Sequence, residues 1–118
     1  MIENIVIPKE EQILALANGL TSVYALIKRY TGQPIMSDFR RFITISKNDL
    51  INFLTIHPEY SYKHIKTDDE AERMHDLPVL LSQNDQWIVC WMDHGRKTEI
   101  NIYNNLPEAA ANYLMAYW

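Results

Sequence analysis

The sequence predicts an α+β fold, with N-terminal helices packed on a three- to four-stranded antiparallel meander that is followed by a C-terminal helix. Apolar residues recur at helical spacing in the first 30 residues, and three short apolar runs separated by turn residues occupy the last third. The chain has 118 residues, 47% hydrophobic and 22% charged, which suits one globular domain. Helices packed on an antiparallel sheet bury the apolar surface of both. We therefore expect a single domain over residues 1–118.

Residues 9–30 carry the strongest helical pattern in the chain. Ile13 and Ala17 belong to an apolar face at helical spacing, and Pro8 directly precedes the pattern. Gly19 lies inside it and destabilises a helix by about 1 kcal/mol relative to alanine. We predict one helix here, with Gly19 as its weak point or as a close crossing with another element.

Residues 36–46 allow two interpretations. Residues 42–46 can form a short strand, which would be the fourth strand of the sheet. Alternatively, Ser37 can cap a helix that presents Phe39, Phe42 and Ile43 on one side. The sequence alone leaves both interpretations open.

Capping residues indicate two further helices. Ser46 is the expected N-cap of a helix over residues 47–56, which carries an apolar side. Thr67, followed three residues later by Glu70, has the form of a capping box. It predicts a short helix that extends to about residue 75.

The last third of the chain predicts a hairpin meander and a closing helix. The predicted strands are residues 79–82, 87–92 and 98–103. The middle run is apolar throughout, as expected of a central strand covered on both faces, and Gly95 supplies the positive φ of the second turn. Asn105, followed three residues on by Glu108, predicts a helix that packs on the sheet.

Charge and composition exclude several classes of protein. The net charge of −4 disfavours a nucleic-acid partner, which would call for a basic surface. The single cysteine, Cys90, excludes an intramolecular disulfide and a cysteine-based zinc site, and burial in an apolar strand would make it inert. The N-terminus lacks a signal-peptide pattern, and the longest apolar run, 87–92, is too short to cross a bilayer. We therefore expect a cytoplasmic protein with no membrane segment.

No motif of catalysis or of cofactor binding is present. There is no HExxH or GxSxG pattern, and the three isolated glycines form no phosphate-binding loop. No two histidines lie at positions i and i+4 of one predicted helix; the four are His57, His64, His75 and His94. A metal site assembled from distant segments is the alternative that spacing leaves open. We expect no catalytic residue, no cofactor and no metal.

Three groups of polar and aromatic residues are candidates for binding. The first is an acidic group at the short predicted helix: Asp68, Asp69, Glu70 and Glu72. The second is the polar part of the last hairpin turn: Asp93, His94 and Arg96. The third is a pair of tyrosines in a polar, loop-like segment: Tyr60 and Tyr62.

Each group also has a purely structural interpretation. Acidic residues at a helix start are favoured by the helix dipole, and Asp, Gly and Arg are ordinary in a soluble turn. The tyrosines suit the core and an interface equally. In the functional interpretation, the acidic group steers a basic partner, and the turn and tyrosines contact it.

The C-terminal third resembles the end of several small bacterial immunity proteins, which accompany secreted or contact-delivered toxins. The resemblance covers an aromatic strand over 87–91, the turn 93–96, an alternating strand over 100–103 and an Ala- and Tyr-rich helix over 106–114. It implies an antitoxin that binds the catalytic domain of a cognate toxin in the cytoplasm and occludes its active site. Such toxins are commonly nucleases or NAD-consuming enzymes, and many are basic.

Two other hypotheses compete with the immunity protein. A small enzyme or ligand-binding domain would use the hairpin residues Asp93, His94 and Arg96. A structural subunit would instead use exposed aromatic patches to complete a homodimer.

Overall fold

The computed structural model describes residues 5–33 and 39–116. Six α-helices are α1 (Lys9–Asn18), α2 (Leu20–Thr31), α3 (Lys47–Ile56), α4 (Glu59–Tyr62), α5 (Asp68–Glu72) and α6 (Leu106–Leu114). Four strands are β1 (Ile65–Lys66), β2 (Leu77–Gln83), β3 (Gln86–Asp93) and β4 (Arg96–Tyr103). A short 3-10 helix spans Phe39–Phe42. The predicted α+β fold is confirmed: helices come first, then the sheet, then a last helix.

The four strands form one sheet in the order β1-β2-β3-β4. The β2–β3 and β3–β4 pairs are antiparallel, as predicted for the meander, but β1 pairs parallel to β2. The sheet is therefore mixed, and its fourth strand comes from Ile65–Lys66. Residues 42–46, where a fourth strand was one interpretation, form no strand: Phe42 ends the 3-10 helix, and residues 43–46 have no regular structure. Ser37 lies outside the described residues.

The predicted helix over 9–30 is two helices. The chain leaves the helical conformation at Gly19, whose φ of 115° and ψ of 174° separate α1 from α2. The backbone N–H of Gly19 still donates to the carbonyls of Ala15 and Leu16, which closes the end of α1. The two helices pack against each other, so the break turns one apolar stripe into a helical pair.

All three predicted helix caps are confirmed. Ser46 and Asp49 form a reciprocal capping box at α3, and Thr67 and Glu70 form another at α5. At α6 the side chain of Asn105 accepts a hydrogen bond from the backbone N–H of Glu108. Each cap satisfies backbone donors that a helix start leaves unpaired. The short helix α5 ends at Glu72, earlier than predicted.

The sheet has an apolar core on each face. The larger core joins the first face, through Leu80 and Val89, to the helices α1, α2, α3 and α6. The smaller core lies on the second face, where α5 contributes Ala71; its strand residues are Val79, Leu81, Ile88, Cys90 and Met92. The central strand β3 is thus covered on both sides, as its apolar sequence predicts. Burial raises the pKa of the Cys90 thiol, in line with an inert core residue.

Both hairpins close through two-residue turns of the same kind. Asn84 and Asp85 have φ values of 51° and 64°, and His94 and Gly95 have φ values of 51° and 79°. Positive φ at both central residues is the signature of a type I′ turn, whose twist matches that of the flanking strands. Among the described residues, no helix is both long enough and apolar enough to cross a membrane.

Partial burial of His64 makes stability depend on pH. Its Nε2 lies 2.8 Å from the carbonyl oxygen of Ala17, near the end of α1. Burial, aided by Lys63 and Lys66, lowers the pKa of His64 below its ordinary value of 6.5, against the opposing effect of the Ala17 hydrogen bond.

We expect the free energy of unfolding to fall as the pH drops below about 6.5. The unfolded chain then binds a proton at His64 that the folded chain does not, so stability rises with pH across this window. A His64→Gln variant, which keeps a donor for Ala17, should lose part of this pH dependence in calorimetric scans between about pH 5 and pH 7.5. An unchanged pH dependence in the variant would contradict this role.

Candidate functional site

The structure brings two of the three predicted groups together. The turn between β3 and β4 packs against the C-terminal end of α5, and a Cβ placed on Gly95 would lie 2.8 Å from the carbonyl oxygen of Glu72. We call the joined region the α5–turn surface; it consists of Asp68, Asp69, Glu70, Glu72, Asp93, His94 and Arg96. All seven side chains are exposed. Residues more than 20 positions apart in the sequence, Glu72 and Gly95, are therefore in direct contact.

The five-residue helix α5 is held in place at three points. Its start is fixed by the capping box: Thr67 Oγ1 accepts from the N–H of Glu70, and Glu70 Oε1 accepts from the N–H of Thr67. These hydrogen bonds, the backbone one foremost, lower the pKa of the Glu70 carboxyl. Ala71 is completely buried against the second face of the sheet. Asp68 forms an ion pair of 3.3 Å with Lys97 of β4.

Two of the four carboxylates of α5 have partners within the protein. Glu70 serves the cap, and Asp68 pairs with Lys97. Within residues 5–33 and 39–116, Asp69 and Glu72 form no ion pair. Their charges are therefore available to a partner, and their replacement leaves the anchors of α5 intact.

The turn itself is an ordered polar cluster. Asp93 Oδ1 lies 2.9 Å from Nδ1 of His94, and because a carboxylate only accepts, this imidazole nitrogen is the donor. The backbone N–H of His94 donates to Nδ1 of His75 over 3.2 Å, and the two imidazole rings lie 3.8 Å apart. His75 therefore belongs to the cluster, which the sequence spacing does not indicate.

Non-glycine residues with positive φ concentrate around this cluster. Asp76, His94 and Glu99 have φ values of 57°, 51° and 50°. Such conformations each cost on the order of 1 kcal/mol or more and persist only where the surrounding structure enforces them. Here Asp76 is held by its N–H to the carbonyl oxygen of Met92, at 2.7 Å, and by its carboxylate to the indole N–H of Trp91, at 3.0 Å.

The two tyrosines do not join this surface. They lie on α4, which packs on α1, α3 and α6 in the helical layer on the first face of the sheet. Tyr60 is half-buried against Phe53, with ring centroids 5.2 Å apart, so core packing accounts for it. Tyr62 is 62% exposed. The segment predicted as loop-like is thus a short helix with one packed and one exposed tyrosine.

An open cavity of about 470 Å³ borders the turn on the first face of the sheet. It is lined by Asp76, Trp91, Asp93, Thr98 and Glu99. Of the three predicted hairpin residues, only Asp93 contributes to it. The cavity therefore gives limited support to the ligand-binding hypothesis, because only Asp93 of the three hairpin residues in that hypothesis lines it.

Two exposed aliphatic residues lie on the edge strand β4. Ile100 is 53% and Ile102 is 58% exposed. Ile102 pairs with Ile88, which belongs to the core on the second face. Ile100 is two residues away in the same strand, so both isoleucines lie on the face of the sheet that carries α5. We call Ile100 and Ile102 the apolar strip; it lies on the same face of the sheet as α5.

Comparisons with models of known protein families, with curated protein sequences and with solved structures find no match to this chain.

Proposed function

We propose that this chain is an immunity protein that binds the catalytic domain of a cognate bacterial toxin in the cytoplasm and occludes the toxin's active site, with the α5–turn surface as the contact. The observation that carries the proposal is the packing of α5 onto the hairpin turn. It joins exposed carboxylates and exposed turn residues into one surface on a buried support. The C-terminal resemblance to immunity proteins supplies the class of partner.

The α5–turn surface is built on ordered elements, which favours binding. Binding is weakened when loops and side chains must be ordered on contact, and rigid elements reduce that loss. The capping box, the buried Ala71 and the Asp68–Lys97 ion pair already order α5. The type I′ turn orders the hairpin tip.

The charge of the surface suits a basic partner. Four carboxylates stand on five consecutive residues of α5, in a chain with a net charge of −4. A cluster of one sign raises the rate of encounter with a partner of opposite sign and has less effect on the lifetime of the complex. For an inhibitor that must capture a toxin before it acts, a fast association rate is the useful property.

The apolar strip completes the surface. Ile100 and Ile102 lie on the same face of the sheet as α5. Exposed aliphatic side chains next to charged ones are typical of interfaces with an apolar centre and a polar rim. We propose that these two residues are desolvated by the toxin while the acids of α5 steer it.

Charge reversal at the free carboxylates tests this function. The probe is the toxin domain encoded next to this chain, purified and also expressed in cells. We expect Asp69→Lys combined with Glu72→Lys to slow association at least about tenfold at low salt and to reduce the salt dependence of the rate, because steering is lost. The same variant should protect cells from the toxin less well than the unmodified chain.

A matched variant provides the control. Glu10→Lys combined with Glu59→Lys makes the same change in net charge on α1 and α4, in the helical layer. It should associate nearly as fast as the unmodified chain. Equal effects of both variants would show that only net charge matters, and a larger effect of the control would place the contact on the helical layer. Absence of both protection and binding by the unmodified chain would contradict the immunity function itself.

A further inference from the structure

The cluster at the hairpin turn has the composition of a metal site. His75 precedes β2, Asp93 ends β3, and His94 is the first residue of the turn. One ligand atom from each of the three residues lies within 4.8 Å of the other two.

Backbone contacts hold the three residues together. The turn fixes His94 beside Asp93, and the N–H of Asp76 donates to the carbonyl oxygen of Met92, which ties the segment carrying His75 to the end of β3. The imidazole rings of His75 and His94 lie 3.8 Å apart as a result. The donor atoms are therefore close because of the fold, and small side-chain rotations suffice to direct them at one ion.

The donor atoms of the cluster are spaced as neighbouring ligands of one ion. Asp93 Oδ1 lies 2.9 Å from Nδ1 of His94 and 3.9 Å from Nδ1 of His75. A neutral imidazole can carry its proton on Nε2 instead of Nδ1, so His94 can exchange its hydrogen bond to Asp93 for a bond from Nδ1 to the ion. His75 offers Nδ1, whose present partner is the N–H of His94 at 3.2 Å, a bond that water can replace at this exposed position.

We propose that His75, Asp93 and His94 bind a divalent transition-metal ion of the zinc class. Imidazole nitrogen suits zinc, copper and nickel, whereas calcium and magnesium prefer sites made of oxygen alone. The carboxylate of Asp93 supplies negative charge next to the ion. Three protein ligands leave at least one coordination position for water or for a group on another molecule. The inference goes beyond the proposed function, because a chain that binds no toxin can bind the metal here.

Metal titration of the purified chain tests the site. After treatment with a chelator and its removal, the chain is titrated with Zn²⁺ by calorimetry and with Co²⁺ by visible absorbance. We expect one ion per chain in both titrations. In NMR spectra of the unmodified chain, the ring proton signals of His75 and His94 should shift on addition of Zn²⁺, while those of His57 and His64 should stay in place.

Two conservative variants separate ligand loss from misfolding. His94→Asn preserves the turn, because Asn-Gly is a favoured pair for type I′ turns, and His75→Gln keeps an acceptor for the N–H of residue 94. Each should weaken Zn²⁺ binding at least about tenfold, as loss of a metal-site group typically does. His57→Gln, at an exposed histidine beyond α3, is the matched control and should bind Zn²⁺ like the unmodified chain.

Three outcomes would overturn the proposal. The first is an unmodified chain that binds neither Zn²⁺ nor Co²⁺. The second is Zn²⁺ binding that survives both His75→Gln and His94→Asn. The third is an NMR shift confined to His57 and His64.

Discussion

Replacement of Gly95 by alanine is expected to lower the free energy of unfolding by about 3 kcal/mol and to weaken binding at the α5–turn surface. Gly95 has a φ of 79°, a conformation that costs a residue with a Cβ about 1–2 kcal/mol. The new methyl group would also lie 2.8 Å from the carbonyl oxygen of Glu72, so α5 or the turn must move. Chemical denaturation measures the loss of stability, and toxin binding measures the damage to the surface.

Gly32 offers a control with the same backbone conformation and no contact. Its φ is 70°, and a Cβ placed there would meet no atom within 4 Å. Gly32→Ala should therefore cost about 1–2 kcal/mol and leave toxin binding unchanged. The difference between the two variants isolates the contact with Glu72. Equal losses of stability, with toxin binding kept in both variants, would mean that α5 does not depend on the turn.

Replacement of Gln12 by leucine is expected to lower the free energy of unfolding by about 3 kcal/mol. Gln12 is 1% exposed and joins three segments of chain. Its Nε2 donates to the carbonyl oxygen of Ile7 at 2.7 Å, and its Oε1 accepts from the N–H groups of Thr44 and Ile45 at 2.7 and 3.3 Å. Leucine fills similar space but leaves these backbone groups unpaired, and each one that is buried costs about 1–3 kcal/mol.

An exposed glutamine is the control for this substitution. Gln83→Leu, at the exposed end of β2, should change stability by no more than about 0.5 kcal/mol. Urea denaturation of both variants gives the comparison. A Gln12→Leu variant as stable as the unmodified chain would show that residues 5–8 and 43–46 are not fastened to α1 through this side chain.

The burial of Gln12 could not be predicted from the sequence. Gln12 follows two glutamates at the start of the helical pattern, so from sequence it looks like an ordinary surface residue. Nothing in its neighbours indicates that two irregular segments will pack over it. The elements that the sequence did predict are those with local signals. Ser46, Thr67 and Asn105 each identify a helix start through residues within one turn, and Gly95 identifies a hairpin.

Features that depend on long-range contact were harder to predict. The parallel strand β1 has only two residues, and its apolar pattern is too short to distinguish from a loop. The break at Gly19 needs a neighbouring helix to pack against, since a single glycine is tolerated in many helices. The exposure of Ile100 and Ile102 likewise depends on α5 covering only part of the second face.

In the candidate site, too, the local groups of residues were predicted and their contacts were not. The sequence identified the acids of α5 and the polar turn as separate groups, because each is a local concentration of charge. It did not indicate that they meet, nor that His75 would stand 3.8 Å from His94, ring to ring. For Tyr60 the sequence left core and interface equally open, and the structure packs its ring against Phe53.

Hydrogen–deuterium exchange of the chain, alone and bound to the toxin domain encoded beside it, tests most directly whether the joined helix and turn form the recognition surface. We predict that toxin binding slows exchange over residues 68–73 and 93–102, with little change over α1 and α2. Protection confined to the helical layer, with exchange unchanged in the helix α5 and the hairpin turn, would contradict the proposed mode of binding.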